Sequence, residues 1–394
     1  MKLVLPIKSI FTPSSMSMVA VTASFIAWEF PTFGVILKGF TRKEALDMTS
    51  AVMLVSWYSM IFACFFVGQK LGGSFVCRKD RSDDPFLSLD SNAVYYGFTL
   101  ISTLGIVSTL WAIFSKLSFQ QALIFISLGQ TNMLKESLYE EYHIGLVSLR
   151  YVVIYPASIA LHHIIRQKRY SAVNLFNVFM LGVSTFLSMR LILVATLMVT
   201  GFLVTYGRTR IQISIAKAAL FCSLIFLILS ALNISRNAGY YERNQLSFGL
   251  AGASEIITYV GSPFQTAVGA AKVADKLNGS GGGDEYRDWV DIAPALNTNS
   301  AFTLLMQQMG VWSWPYLALV CLVMGFLFGA MSSLGKTIFL LPCGAIIYGA
   351  AELWRLDLFQ TGTFIVWSVI GIGLPAALLL TRRMMHFVNR ATGP

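Results

Sequence analysis

The chain has 394 residues, 56% hydrophobic and 12% charged, with a formal net charge of +10 and a mean hydropathy of +0.66. Soluble domains carry about 25% charged residues, so this composition excludes a soluble enzyme or binding module and indicates a polytopic membrane protein. The excess of Lys and Arg is spread over short polar segments, which excludes a nucleic-acid-binding reading.

A membrane-spanning helix needs roughly 20 mostly apolar residues. Ten segments qualify, near 14–37, 48–68, 94–115, 144–162, 172–189, 191–207, 216–234, 313–333, 337–351 and 362–381, and an eleventh, 118–134, is ambiguous. The expected fold class is an all-α polytopic membrane protein, a single integral membrane domain over 1–394. It has about ten transmembrane helices, a re-entrant or interfacial segment and one long periplasmic loop. The N-terminal stretch "MKLVLPIKSI" lacks the compact apolar run and small-residue end of a cleavable signal, so the first helix is expected to serve as its own signal.

Lys and Arg in short loops set the orientation. With Lys2 and Lys8 inside, the next cytoplasmic segments are 69–92 (Lys70, Arg78, Lys79, Arg81), "HHIIRQKRY" (Arg166, Lys168, Arg169), the stretch with Arg208, Arg210 and Lys217, the turn at Lys336, and the tail "TRRMMHFVNR". This assignment requires 118–134 not to cross, and it leaves "KGFTRKEALD" outside despite Lys38, Arg42 and Lys43. The connection 235–300 then faces the outside, and its five basic and seven acidic residues make it the one acidic aqueous stretch. Cys64, Cys222, Cys321 and Cys343 lie in apolar segments and Cys77 in a cytoplasmic loop, so neither a disulfide framework nor a CxxC metal site is expected. No internal repeat is visible, which weighs against a transporter built from repeated halves.

Five arginines gather near the outer interface, where the inside-positive bias disfavours them. Arg190 stands between two apolar runs in "STFLSMRLILVATL", and Arg150 lies about two turns below the start of its helix in "GLVSLRYVVIYPASIAL". Arg236 and Arg243 open the long outer connection, and Arg355 sits in "AELWRLDLFQ". Arginine stays charged when partly desolvated, and its planar fork matches phosphate, so a lipid phosphate or pyrophosphate is the expected partner. Competing structural readings are a snorkelling anchor for Arg190, neutralisation of Arg150 by Glu29 or Glu136, and pairing of Arg355 with Glu352 or Asp357.

The order of these elements resembles that of the oligosaccharide repeat-unit polymerases, the Wzy-type O-antigen and exopolysaccharide polymerases. The resemblance covers roughly 94–380 and rests on "LSMRLIL", "SRNAGYYERN", "EIITYVGSPFQTAVGAA", "NTNSAFTLLMQQMGVWSWPYLALVCLVMG" and "ELWRLDLF". The block opened by Asn297 is its most particular part; Gln308 and Met309 stand before Gly310 where the family often has an acidic-aromatic pair. The resemblance implies a metal-independent glycosyltransferase of the C type without cofactors, acting at the periplasmic face of the bacterial inner membrane. Its substrates would be undecaprenyl-pyrophosphate-linked oligosaccharides, with a chain-length regulator as a further partner class.

Charge builds on the pyrophosphate as the sugar bond breaks, so Arg190 and Arg236 are the expected stabilisers, with Arg150, Arg243 and Arg355 binding substrate. The acceptor hydroxyl needs a base. His143, flanked by Glu136, Glu140 and Glu141, and the loop acid Glu242 are candidates, with Glu255, Asp288 and Asp291 as competitors. Tyr240 and Tyr259, with Tyr241, Tyr286 and Trp289, are candidates for stacking on sugars, and Asn297 joins the substrate-binding set; interfacial belt residues are the competing reading for the aromatics. "NGSGGGDEYRD" lacks the ending of a phosphate-cradling loop and reads as a hinge. Two alternatives remain: an O-antigen ligase, disfavoured because 235–300 contains no histidine, and a transporter or flippase of lipid-linked glycans.

Overall fold

The computed structural model describes residues 2–5, 10–29, 45–76, 87–127, 145–187, 190–208, 211–214, scattered positions between 216 and 231, 247–277 and 300–391. Its helices are α1 (Pro13–Glu29), α2 (Met48–Phe75), α3 (Asn92–Phe114), α4 (Phe119–Ser127), α5 (Ile154–His162), α6 (Ala172–Phe186), α7 (Arg190–Thr205), α8 (Phe248–Lys272), α9 (Ala301–Met309), α10 (Ser313–Ser333), α11 (Leu340–Glu352) and α12 (Gly362–Ala391). A 3₁₀ turn, Leu146–Val153, leads into α5, and a π turn, His163–Gln167, leaves it. The departure from an all-helical chain among the described residues is one antiparallel ribbon, β1 (Lys2–Leu5) with β2 (Ile211–Ser214), in which Lys2 stands opposite Ser214 and Leu5 opposite Ile211.

Four stretches are long and apolar enough to cross a membrane: Met48–Phe75, Asn92–Phe114, Ala301–Ser333 and Gly362–Arg382. At about 1.5 Å per residue the first of these exceeds the roughly 30 Å hydrocarbon layer. The protein is a helical membrane protein, with α6, α7 and the 337–352 stretch as shorter apolar helices.

Contacts divide the chain into two compact units, each assembled from distant segments. Unit 1 comprises Met1–Lys70, Gly207–Phe326 and Gly349–Leu358; unit 2 comprises Leu71–Tyr206, Leu327–Tyr348 and Phe359–Pro394.

In unit 1, α2 begins where Asp47 Oδ1 accepts the Ser50 N–H at 2.7 Å, a side chain satisfying one of the donors a helix start leaves open. It crosses α10 at reciprocal glycines. A Cβ on Gly68 would run into the backbone of Leu322, and one on Gly325 would meet Phe65, so only small residues allow the two backbones to meet. Further along α2, Trp57 is fully buried edge-on between Phe302 (5.1 Å) and Trp314 (4.9 Å). The 235–300 connection contains a 25-residue helix, α8. Its Phe264 packs against Phe25 and Trp28 of α1 at 5.4 and 5.2 Å, and Ser24 Oγ donates to Val260 O at 2.7 Å. Between α9 and α10 the chain turns at Gly310, whose φ of 56° is a conformation that glycine adopts without Cβ strain. The expected span 313–333 is thus preceded by a second helical piece, α9.

In unit 2, α3 buries Val94, Tyr95, Phe98, Ser102, Gly105, Ile106, Thr109 and Ile113, a stripe at helical spacing. The stripe faces the 3₁₀ turn so closely at Gly105 that a Cβ there would overlap the backbone of Leu149 and Arg150. At the other end of α3, Tyr95 donates to Asn174 Oδ1 at 2.7 Å and accepts from Asn177 Nδ2 at 3.0 Å, tying α3 to α6. Nearby, Asp90 Oδ1 accepts from Gln167 Nε2 at 2.9 Å and lies 3.3 Å from His163 Nε2, and Leu89 N donates to Thr337 Oγ1 at 3.1 Å. Segments 87–90, 163–169 and 336–337 therefore meet at one end of this unit.

Candidate functional site

Arg150 is the arginine whose surroundings are most complete. It sits in the 3₁₀ turn after Gly145, and this turn becomes α-helical where Pro156 occupies the first turn of α5, a position at which a missing N–H breaks no helical bond. The turn is fixed from two sides. Gly105 of α3 lies against its backbone, and on α12 the Trp367 indole donates to Tyr151 O at 2.7 Å while the Tyr155 hydroxyl donates to Trp367 O at 2.8 Å.

Arg150 is 5% exposed. Its Nη2 donates to the Tyr151 hydroxyl at 3.2 Å and its guanidinium carbon lies 4.8 Å from that ring, while the buried Nε has no hydrogen-bond partner among the described residues. No acid among the described residues forms an ion pair with it. Of the two acids that sequence reasoning offered as neutralisers, Glu136 lies outside the described residues and Glu29 belongs to unit 1. Gly105 is nine residues before the end of α3, so Arg150 lies about 13 Å along the helix axis from that end. A cation so placed costs several kcal/mol, roughly, unless an anion accepts from it.

Arg190 is the first residue of α7, where unpaired N–H groups and the positive end of the helix dipole favour an anion. Three residues earlier, Leu187 helps line an apolar cavity of about 320 Å³ together with Leu110, Ile113 and Phe114 of α3, Ala122 of α4 and Val183 of α6. Sequence reasoning missed this cavity, because it exists only where three helix ends fail to close on one another.

In unit 1, Arg355 follows the end of α11. Its Nε and Nη2 both donate to Glu352 Oε2, at 3.1 and 2.8 Å, and its guanidinium carbon stands 5.2 Å from the centre of the Tyr259 ring. The pairing with Glu352 that sequence reasoning set against an anion-binding role is therefore present. Trp354 meets the Tyr259 ring edge-on at 6.4 Å, and the Tyr316 hydroxyl donates to Asp357 Oδ2 at 3.4 Å. Glu352 and Asp357 are 7% and 8% exposed. Sequence reasoning named both acids only as counterions and did not single out Tyr316; no local pattern signals that α8, the start of α10 and 352–357 meet.

The structure thus brings Tyr259 and Arg355 together and places Arg150 in the other unit. Arg236, Arg243, His143, Glu242, Tyr240 and Asn297 lie outside the described residues, as do Glu140, Glu141, Asp288 and Asp291. Comparison with known protein families, with characterised proteins and with solved structures finds no match for this chain.

Proposed function

We propose that the protein is a membrane glycosyltransferase that polymerises undecaprenyl-pyrophosphate-linked oligosaccharide repeat units into a surface polysaccharide at the periplasmic face of the inner membrane. The observation that carries this reading is Arg150: a buried guanidinium with an unpartnered Nε and no acid beside it among the described residues. Such a group favours an anion that enters from outside the chain, and a lipid pyrophosphate supplies one at membrane depth.

In the reaction, an acceptor sugar hydroxyl attacks the anomeric carbon of the donor glycan. A new carbon–oxygen bond forms as the bond from that carbon to the pyrophosphate oxygen breaks. The hydroxyl proton passes to a base, for which His143 and Glu242 remain the sequence candidates, and the lipid pyrophosphate leaves with the bonding pair. A guanidinium aimed at the pyrophosphate gains interaction as its charge grows, so it lowers the barrier more than it tightens ground-state binding.

Contacts within each unit support the proposed orientation. Segments 87–90, 163–169 and 336–337 meet at one end of unit 2, and the sequence assigns all three to the cytoplasm. The chain between Asp90 and His163 must then cross an even number of times, which α3 and the helical run Leu146–His162 satisfy without 118–134. The pairing of β1 with β2 supports the same parity for residues 2–5 and 211–214.

Purified protein in lipid nanodiscs, given lipid-linked repeat units, should yield a ladder of products one repeat unit apart. Unextended substrate in the presence of intact, folded protein would overturn the reading.

A further inference from the structure

The start of α9 holds polar groups that the fold leaves unmet. Ser300 is its N-cap, yet the hydroxyl accepts from no N–H of the first turn, whereas Ser171 caps α6 by accepting from Asn174 N at 3.2 Å. The first bond of the helix runs from Leu304 N to Ser300 O at 2.9 Å, so the N–H groups of Ala301, Phe302 and Thr303 have no backbone partner among the described residues. Ser300 is fully buried and Thr303 is 1% exposed, and neither hydroxyl has a hydrogen-bond partner among the described residues. A third orphan stands beside them. Trp57 is fully buried, its ring lies 5.1 Å from that of Phe302, and its indole Nε1 also lacks a partner among the described residues.

Buried polar atoms without partners are uncommon and costly, and three gathered at one helix start are accounted for by a ligand that enters from outside the chain. The sign of that ligand follows from the donors. An indole N–H only donates, hydroxyls turn to donate, and the helix dipole adds partial positive charge beside three open backbone N–H groups. Side chains in a helix lean toward its N-terminus, which carries Thr303 Oγ1 back toward the same point. The complementary ligand is an oxyanion, held by dipoles as phosphates are at helix starts.

We propose that the start of α9, with Ser300, Thr303 and Trp57, is a pyrophosphate-binding subsite in unit 1 that takes the acceptor substrate. Each round of polymerisation uses two lipid pyrophosphates, and Arg150 in unit 2 is assigned to the one that leaves. The acceptor keeps its pyrophosphate and no charge develops on it, so neutral dipoles suffice where the donor calls for a guanidinium. Sequence reasoning assigns Asn297 to substrate, and Ser300 closes the same NTNS block. It also places 235–300 outside, so this helix start belongs to the face where lipid-linked substrates are expected. The assignment deepens the polymerase reading and rests on it for the identity of the anion as a lipid pyrophosphate.

The test is equilibrium binding of radiolabelled geranylgeranyl pyrophosphate to the full chain in phosphate-free maltoside detergent. Two equivalents are expected for the parent chain and one for Arg150→Ala. In the Arg150→Ala chain, Ser300→Ala and Thr303→Val should each weaken the remaining site about tenfold, near 1.4 kcal/mol. Made in the parent chain without ligand, the same two substitutions should keep or raise the thermal midpoint, because each removes an unpaired buried hydroxyl. No binding to Arg150→Ala, undiminished binding after both substitutions, or a lowered midpoint in both ligand-free variants overturns the subsite. Inorganic pyrophosphate is the second probe. Weaker binding than the prenyl form is expected, and equal binding would assign the site to the free anion and overturn its acceptor role. If prenyl pyrophosphate binds through these residues but no product ladder forms from lipid-linked units, the polymerase reading fails and the subsite stands. If the ladder forms and both variants keep the parent's KM for acceptor, the subsite fails and the polymerase stands.

Discussion

At the scale of single residues, two arginines with the same formal charge meet opposite fates. Arg355 is satisfied by Glu352 within three residues of its own position. Among the described residues, Arg150 finds only the hydroxyl and ring of Tyr151, the next residue, and its buried Nε meets no partner. If Arg150 holds a pyrophosphate, Arg150→Lys preserves the charge but loses the planar pair of donors. Both Arg150→Lys and Arg150→Ala should then reduce chain growth by at least about tenfold, near 1.4 kcal/mol of transition-state stabilisation, while the protein still reaches the membrane. Product length on gels, with membrane abundance measured beside it, checks this. Normal long chains from Arg150→Lys would make Arg150 a structural cation and pass the pyrophosphate role to Arg190, for which the same pair of substitutions is the corresponding test.

At the scale of elements, close approach is the device that sets the Arg150 turn. Gly105 leaves no room for a side chain against Leu149 and Arg150, so Gly105→Val must push the 3₁₀ turn away from α3. We expect a loss of about 1–3 kcal/mol in stability, the usual range for overpacking, and a parallel fall in chain growth. Thermal unfolding in detergent and the ladder assay read the two effects; unchanged values for both would show that the turn moves freely. The membrane assignment is testable at the same scale. Cysteines introduced near Lys168 should react only from the cytoplasmic side and those near Asp284 only from the periplasmic side. Labelling near Lys168 from outside would mean that 118–134 crosses and that the catalytic face is inverted.

At the scale of the whole molecule, the two compact units divide the candidate chemistry, with Arg150, which pairs with no acid among the described residues, in unit 2 and the cluster of Arg355, Glu352, Asp357 and Tyr259 in unit 1. Sequence reasoning assigns the leaving-group charge to arginines in place of a divalent ion. Polymerisation should therefore persist in EDTA at the rate seen with magnesium, measured by ladder formation over time. Activity abolished by EDTA and restored by magnesium would remove the arginine-only account.

The sequence by itself determined that this is a helical membrane protein, because hydropathy is a sum over neighbours along the chain and needs no knowledge of folding. For the same reason it located α2, α3, α10 and α12 to within a few residues at most of their ends. It did not yield α8 as a helix. Segment 248–272 is rich in Gly, Ala, Ser and Thr, which score low in hydropathy yet pack closely, and Ala267, Val268, Ala270 and Ala271 are buried. It flagged Arg150 and Arg355 alike as arginines near the outer interface, offered different counterions for each, and could not tell which of them was paired. Only the tertiary structure did so, since whether a cation is neutralised depends on which distant or neighbouring groups packing brings within about 4 Å, a distance over which interaction energy falls steeply and which no pattern along the chain encodes.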